Sequence, residues 1–165
     1  GKDDIILVTR NGQALRFAED EIRSMGRQAA GVTGIKFKAN DRLASMDVIE
    51  PNGQLLVVSE QGYGKRSNLD EYPVKGRATG GVSTADQKNL DKTGRVASAR
   101  VVQESDEVSI ISSGGIMLRL KAKDISFSGR ATRGFKLMDL GADDMVASIA
   151  RINNAVVSNG EAENT

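Results

Sequence analysis

The sequence predicts an all-β array of three four-stranded blades, and three observations carry that expectation. Glycine makes up 18 of 165 residues, and it recurs at fixed spacing. That is about 11% against a usual share of roughly 7%. Turn dipeptides of the Asn-Gly kind follow short β-branched runs three times. Sustained helical periodicity is absent.

The repeat is read from the glycines. Gly12, Gly62 and Gly115 each follow an apolar run. Gly26, Gly76 and Gly129 are each followed by arginine, and Gly31, Gly81 and Gly134 come five residues later. All three sets step by 50 and then 53. The pairs Ala44-Ser45, Ala97-Ser98 and Ala147-Ser148 step by 53 and then 50. The second repeat therefore carries three extra residues between Gly81 and Ala97, expected in a loop near residues 86–94. A period near 50 marks an array or a propeller-like fold.

Each repeat reads as one β unit. Residues 5–9, 55–59 and 108–112 are short apolar runs suited to strands buried on both faces. Asn11-Gly12, Gln61-Gly62 and Gly114-Gly115 follow, where a tight hairpin needs positive φ. The return strands hold Arg16, Arg66 and Arg119. A link with Ile22, Tyr72 or Ile125 leads to the Gly-Arg element, and two further apolar stretches complete the unit, at 32–37 and 43–49 in the first repeat. Four strands are the size of one propeller blade. Residues 19–25 have room for one or two helical turns, whereas Pro73 argues against a long helix at 70–75. The resulting units are residues 3–53, 54–105 and 106–153, with 154–165 expected as a disordered tail. Three blades are too few to close a ring of ordinary size, so the array is expected to extend into a larger propeller or to pair with a second copy.

Composition excludes much chemistry. There is no Cys, His or Trp. A disulfide framework, a thiol nucleophile and a Ser-His-Asp site are all out of reach. A zinc site would need carboxylates alone, and no apolar run is long enough for a membrane span. Catalytic residues, a metal and a cofactor are therefore not expected, and the protein reads as cytoplasmic.

Several motifs look chemical and fail on spacing. The segment Gly62-Tyr63-Gly64-Lys65-Arg66-Ser67 resembles a phosphate loop, but Ser59 stands at the first glycine position and Arg66 where Ser or Thr is required. It also lies in a hairpin and not before a helix. The acidic pairs Asp3-Asp4, Glu19-Asp20-Glu21 and Asp143-Asp144 adjoin expected turns. Tyr72 aligns with Ile22 and Ile125 as a core position, and Tyr63 aligns with Gln13 and Ile116.

The recurring basic residues are the stronger signal. Arg16, Arg66 and Arg119 share one place in the hairpins, with Lys65 and Lys121 beside them. Arg27, Arg77 and Arg130 share another, with Lys75 and Arg133 nearby. Equivalent positions on a curved array would form a basic stripe that tracks a phosphate backbone without reading bases. The competing reading is that each arginine caps a carbonyl or pairs with an acid within its blade. The net charge of +1 hides the distribution. Residues 1–53 carry 8 basic and 8 acidic groups, 54–105 carry 8 and 6, and 106–153 carry 7 and 6.

Gly62-Tyr63-Gly64-Lys65-Arg66, followed by Glu71-Tyr72-Pro73-Val74-Lys75-Gly76-Arg77-Ala78-Thr79-Gly80-Gly81-Val82, resembles the penultimate blade of the C-terminal domain of the DNA gyrase A family. The first repeat is similar to the blade before it, through Asn11-Gly12, Arg16-Phe17, Met25-Gly26, Ala30-Gly31-Val32 and Gly34-Ile35-Lys36. The third is similar to the last blade, through Gly115, Leu118-Arg119, Asp124-Ile125-Ser126, Gly129-Arg130 and Gly134. The family's Gln-Arg-Arg-Gly-Gly-Lys-Gly box, a first-blade feature, is not in this chain. The resemblance implies a β-pinwheel, here half of a six-bladed disc, with double-stranded DNA wrapped on a basic outer rim in support of negative supercoiling. It implies a non-catalytic module of an ATP-dependent type IIA topoisomerase of the bacterial nucleoid, working with the rest of the pinwheel and with gyrase B. The related domain of topoisomerase IV is one alternative, and a protein-binding propeller fragment is another.

Overall fold

The computed structural model describes residues 4–18, 40–74 and 81–152. They form eleven strands: β1 (Asp4–Thr9), β2 (Gln13–Ala18), β3 (Leu43–Val48), β4 (Gln54–Ser59), β5 (Tyr63–Asn68), β6 (Val82–Ser83), β7 (Val96–Val102), β8 (Glu107–Ser112), β9 (Met117–Lys121), β10 (Phe135–Lys136) and β11 (Val146–Ile152). Three antiparallel sheets result, ordered β3-β1-β2-β6, β10-β5-β4-β7 and β11-β8-β9. The expected stretches at 19–25 and 32–37 and the tail at 154–165 lie outside the described residues.

The hairpins are as the dipeptides require. Gly12, Gly62 and Gly115 have φ of +83°, +90° and +95°. The residue closing each first strand carries a hydroxyl, and that hydroxyl accepts the amide four residues on, where the return segment begins. Thr9 Oγ1 accepts from Gln13 N at 3.0 Å, Ser59 Oγ from Tyr63 N at 3.2 Å, and Ser112 Oγ from Ile116 N at 3.0 Å. A Thr or Ser at this position thus satisfies an amide that the turn would otherwise leave unpaired.

The fourth strand departs from the expectation in its origin. It is present in the first two sheets, but the following repeat supplies it. β6, from the second repeat, pairs with β2 through Gln13–Ser83 and Ala14–Val82. β10, from the third, pairs with β5 through Gly64–Phe135 and Tyr63–Lys136. Gly134 is placed there by sterics. It has φ +80°, and a Cβ on it would lie 2.5 Å from the Gly64 carbonyl oxygen. Only glycine tolerates both conditions. Gly81 repeats them against Ala14. The third sheet has three strands among the described residues, and nothing described pairs with the outer edge of β9.

The core lies between sheets. One cluster gathers Ile6, Val8 and Ala14 with Leu55, Val57, Tyr72, Val96, Ala99 and Val101. A second gathers Leu56 and Val58 with Val108, Ile110, Ile125, Val146 and Ile149. Tyr72 and Ile125 are core residues, as their alignment required. The Tyr72 hydroxyl meets Thr84 Oγ1 at 2.5 Å, which gives the buried phenol a partner. Burial holds the Tyr72 proton on, raising its pKa above 10.0. Each 3₁₀ turn after a hairpin, Leu69–Glu71 and Ala122–Asp124, drops one small or apolar side chain into this core. The expected loop in the second repeat contains a 3₁₀ turn, Gln87–Asn89, and one helical turn, Leu90–Thr93.

Candidate nucleic-acid interface

The candidate basic residues divide by where their charges point. Lys65 is 2% exposed and turned inward. Its Nζ donates to the carbonyls of Gly129 at 3.1 Å, Arg130 at 2.6 Å and Thr132 at 2.5 Å. The ammonium has three protons and meets three acceptors. Burial pushes its pKa down from 10.5 to about 8.

Arg66 is 4% exposed. Its Nε donates to Ile125 O at 2.6 Å, Nη2 to Lys123 O at 3.2 Å and Nη1 to Gln54 Oε1 at 3.3 Å. The guanidinium carbon also sits 4.2 Å from the centre of the Phe127 ring. Both side chains were expected as phosphate contacts. The structure turns them into braces between the second repeat and the third, because carbonyls of the third repeat take up their donors.

Arg16 follows the same rule one repeat earlier. Its Nε donates to Asp4 Oδ2 at 2.9 Å, and Nη1 donates to Leu69 O of the second repeat at 3.1 Å. Positions 4, 54 and 107 each hold the acceptor facing this arginine: Asp4, Gln54 and Glu107. Arg130 likewise reaches across, donating through Nη1 to Ser83 O at 2.9 Å, while its amide donates to Glu71 Oε1 at 3.0 Å.

Three candidates stay at the surface. The Arg119 side chain is 61% exposed and pairs with Glu107 at 2.6 Å. Lys121 is exposed and lines a pocket of about 250 Å³ with Lys123, Glu104 and Asp106. Arg133 is exposed, with its guanidinium 5.8 Å from the Tyr63 ring centre. It shares a shallow groove of about 610 Å³ with Lys88 and Asp86. Arg27, Lys75 and Arg77 lie outside the described residues.

Sequence reasoning missed Lys88 and Lys123, which fall at no repeated position. It also missed a charge cluster between the first and third repeats. Arg151 bonds Asp106 through Nε at 2.6 Å, and Glu50 through both Nη1 and Nη2, the latter at 3.0 Å. Nη1 also donates to Val101 O at 3.1 Å. One guanidinium therefore ties the first repeat to the third. The Arg151 hydrogen bond is the main reason the Glu50 carboxyl falls below its ordinary 4.5. A lone arginine within the apolar run of β11 was the signal available. The neighbouring interface uses short side chains for the same end: Ser45 Oγ and Asp47 Oδ2 accept the amides of Ala99 and Val101, at 2.9 and 2.8 Å.

Among the described residues no cluster of acidic side chains could hold a metal ion, and no helix is long and apolar enough to cross a membrane. Stacked antiparallel sheets with exchanged edge strands and surface basic groups define a repeated-blade β array of the propeller type.

The DNA gyrase C-terminal domain, a beta-propeller family, matches residues 3–50, 53–103 and 106–153, and the chain belongs to that family. The gyrase A protein of Mycobacterium tuberculosis is 39% identical over 166 residues, covering 96% of this chain and 20% of that protein. The gyrase A protein of Salmonella typhimurium is 37% identical over 156 residues, covering 94% and 18%. The chain thus spans about a fifth of the length of these relatives. Among solved structures, a DNA gyrase A C-terminal domain superimposes with TM-score 0.84 at 30% identity, over 92% of this chain and 51% of that one. The C-terminal domain of DNA topoisomerase IV superimposes with TM-score 0.82 at 25% identity, over 97% and 52%. Gyrase is the better supported of the two.

Proposed function

We propose that this chain is a non-catalytic, DNA-contacting module of a gyrase-type type IIA topoisomerase, acting on double-stranded DNA as part of a pinwheel and alongside gyrase B. The observation that carries the reading is the family match across all three repeats. The chemistry is electrostatic. Exposed cations replace counterions on phosphates, so affinity falls steeply with salt. ATP-dependent strand passage and supercoiling belong to the assembled bacterial enzyme, in the cytoplasm at the nucleoid, and the module itself needs no cofactor.

The contact set is narrower than the sequence suggested. Arg119, Lys121 and Arg133 carry it, with Lys88 and Lys123 added. Arg16, Lys65, Arg66 and Arg130 spend their donors inside the array. Arg27, Lys75 and Arg77 remain candidates on sequence grounds.

A fluorescence-anisotropy titration of duplex DNA over a salt series tests this. Lys121→Ala and Arg133→Ala are each expected to weaken binding for all duplex sequences alike and to reduce the salt slope by about one. Binding that is undetectable at low salt, or indifferent to both substitutions, overturns the reading. The inward use of four candidate cations favours one second reading, a protein-binding array, and that outcome would support it.

A further inference from the structure

Aromatic side chains are scarce in this chain, with 4 Phe, 2 Tyr and no Trp among 165 residues. Phe17 is fully buried, whereas Phe127 and Phe135 are 49% and 48% exposed. Single exposed apolar residues are ordinary on a protein surface, but two rings placed together form a patch that asks for a partner. These two lie along one edge of β5. Phe127 stands opposite Arg66 in an isolated parallel bridge, and Phe135 of β10 stands opposite Gly64. Positions 64 and 66 are two residues apart on one strand, hence about 6.5 Å apart and on the same face. The edge belongs to the junction of the second and third repeats, inside the array.

The fold holds this edge firmly. The Arg66 amide donates to Ser126 O at 3.1 Å, and the Ser128 amide donates to Arg66 O at 2.9 Å, so the backbone is clamped on either side of Phe127. The Arg66 guanidinium, fixed by its own three acceptors, lies 4.2 Å from the centre of the Phe127 ring. The chain then loops round the Lys65 ammonium and returns as β10. Cations flank the pair. Lys123 is exposed four residues before Phe127, and Arg133 is exposed two residues before Phe135. The preceding junction repeats the plan with smaller side chains. Val74 stands opposite Arg16 and Val82 opposite Ala14, and Val74 is 56% exposed.

We propose that Phe127 and Phe135 form an apolar contact for the deoxyribose faces of duplex DNA, set between Lys123 and Arg133 as phosphate ligands. Along a nucleic-acid strand each sugar lies between two phosphates, so rings placed between cations match the alternation of the backbone. A ring already held in place loses little conformational freedom when it is covered. The positive charge around the rings selects this occupant over an apolar protein segment. Such a contact adds affinity that salt does not screen, because burying apolar surface releases no counterions. It carries no base information, since sugars are the same at every step. The proposal rests on the DNA reading above and deepens it, adding an apolar component to contacts that were only electrostatic.

The test is a duplex-DNA anisotropy titration over a salt series with Phe127→Thr, Phe135→Thr and Arg133→Ala beside the wild type. Each threonine variant is expected to weaken binding about three- to tenfold at every salt concentration and to leave the salt slope unchanged. Arg133→Ala is expected to lower the slope by about one. Threonine is a strand-favouring residue, so Phe135→Thr keeps β10 and tests the proposal even where Phe127→Thr loosens Arg66. Far-UV circular dichroism and thermal unfolding check that each variant is folded. Wild-type affinity in both threonine variants overturns the proposal and leaves the DNA reading standing. A slope lowered as in Arg133→Ala also overturns it, since the rings would then act only by placing cations. A wild type that binds no duplex at low salt overturns both.

Discussion

A cation in this chain acts by its hydrogen-bond partners more than by its formal charge. Lys65 stands beside a glycine hairpin and reads as a surface ligand, yet three carbonyls enclose its ammonium. Lys65→Met keeps most of the volume and strands those carbonyls. The expected loss is about 2–4 kcal/mol in urea unfolding, with little change in the salt slope of any DNA binding. Glu50 gives a pH-dependent counterpart. Its carboxyl titrates below its unfolded value of 4.5 because Arg151 holds the charged form. The unfolded chain therefore binds the proton first as the pH falls. The stabilisation is fully present above about 4.5 and is lost as the pH drops through the lowered folded value. Glu50→Gln is expected to flatten that acid limb in urea midpoints measured between about pH 3 and 6, and a limb of unchanged steepness would remove Glu50 as its source. The repeat spacing placed Arg16, Arg66 and Arg119 in one structural position correctly. It could not tell inward from outward, because orientation depends on the next repeat, whose carbonyls are remote in sequence.

At the level of elements, strands and turns were legible because their signals are local. A β-branched run, a hydroxyl and a positive-φ glycine specify each hairpin within about ten residues. Partner choice was not legible. The four strands of a blade were expected from one repeat, yet β6 and β10 leave their own repeats to complete the preceding sheets. A two-residue strand carries too little pattern to reveal its partner. The clue was a conformational demand. Gly81 and Gly134 recur one residue before these strands, and only the crossing against Ala14 and Gly64 explains why. Gly134→Ala would force a Cβ against the Gly64 carbonyl at positive φ. The expected cost is about 2–4 kcal/mol in thermal or urea unfolding. An alanine variant with unchanged stability would mean that the exchanged strand is not held at this crossing.

For the whole molecule, charge is distributed by function and not by sum. Among the described residues, braced cations such as Lys65, Arg66 and Arg151 join the repeats, while Lys88, Lys121, Lys123 and Arg133 stay exposed on the second and third repeats and Arg42 on the first. The near-zero net charge of +1 counts both sets alike. It therefore understates the local field a phosphate backbone would meet at Lys121, Lys123 and Arg133. The strand exchange has a further consequence, in time. During synthesis the second sheet emerges up to β7 and still lacks its edge, because Lys136 must leave the ribosome before Tyr63 can pair with it. Arg66 waits in the same way for Ile125, and Lys65 for Thr132. Neither of the first two sheets can finish before much of the next repeat has been made, so the nascent chain carries an open edge forward from one blade to the next.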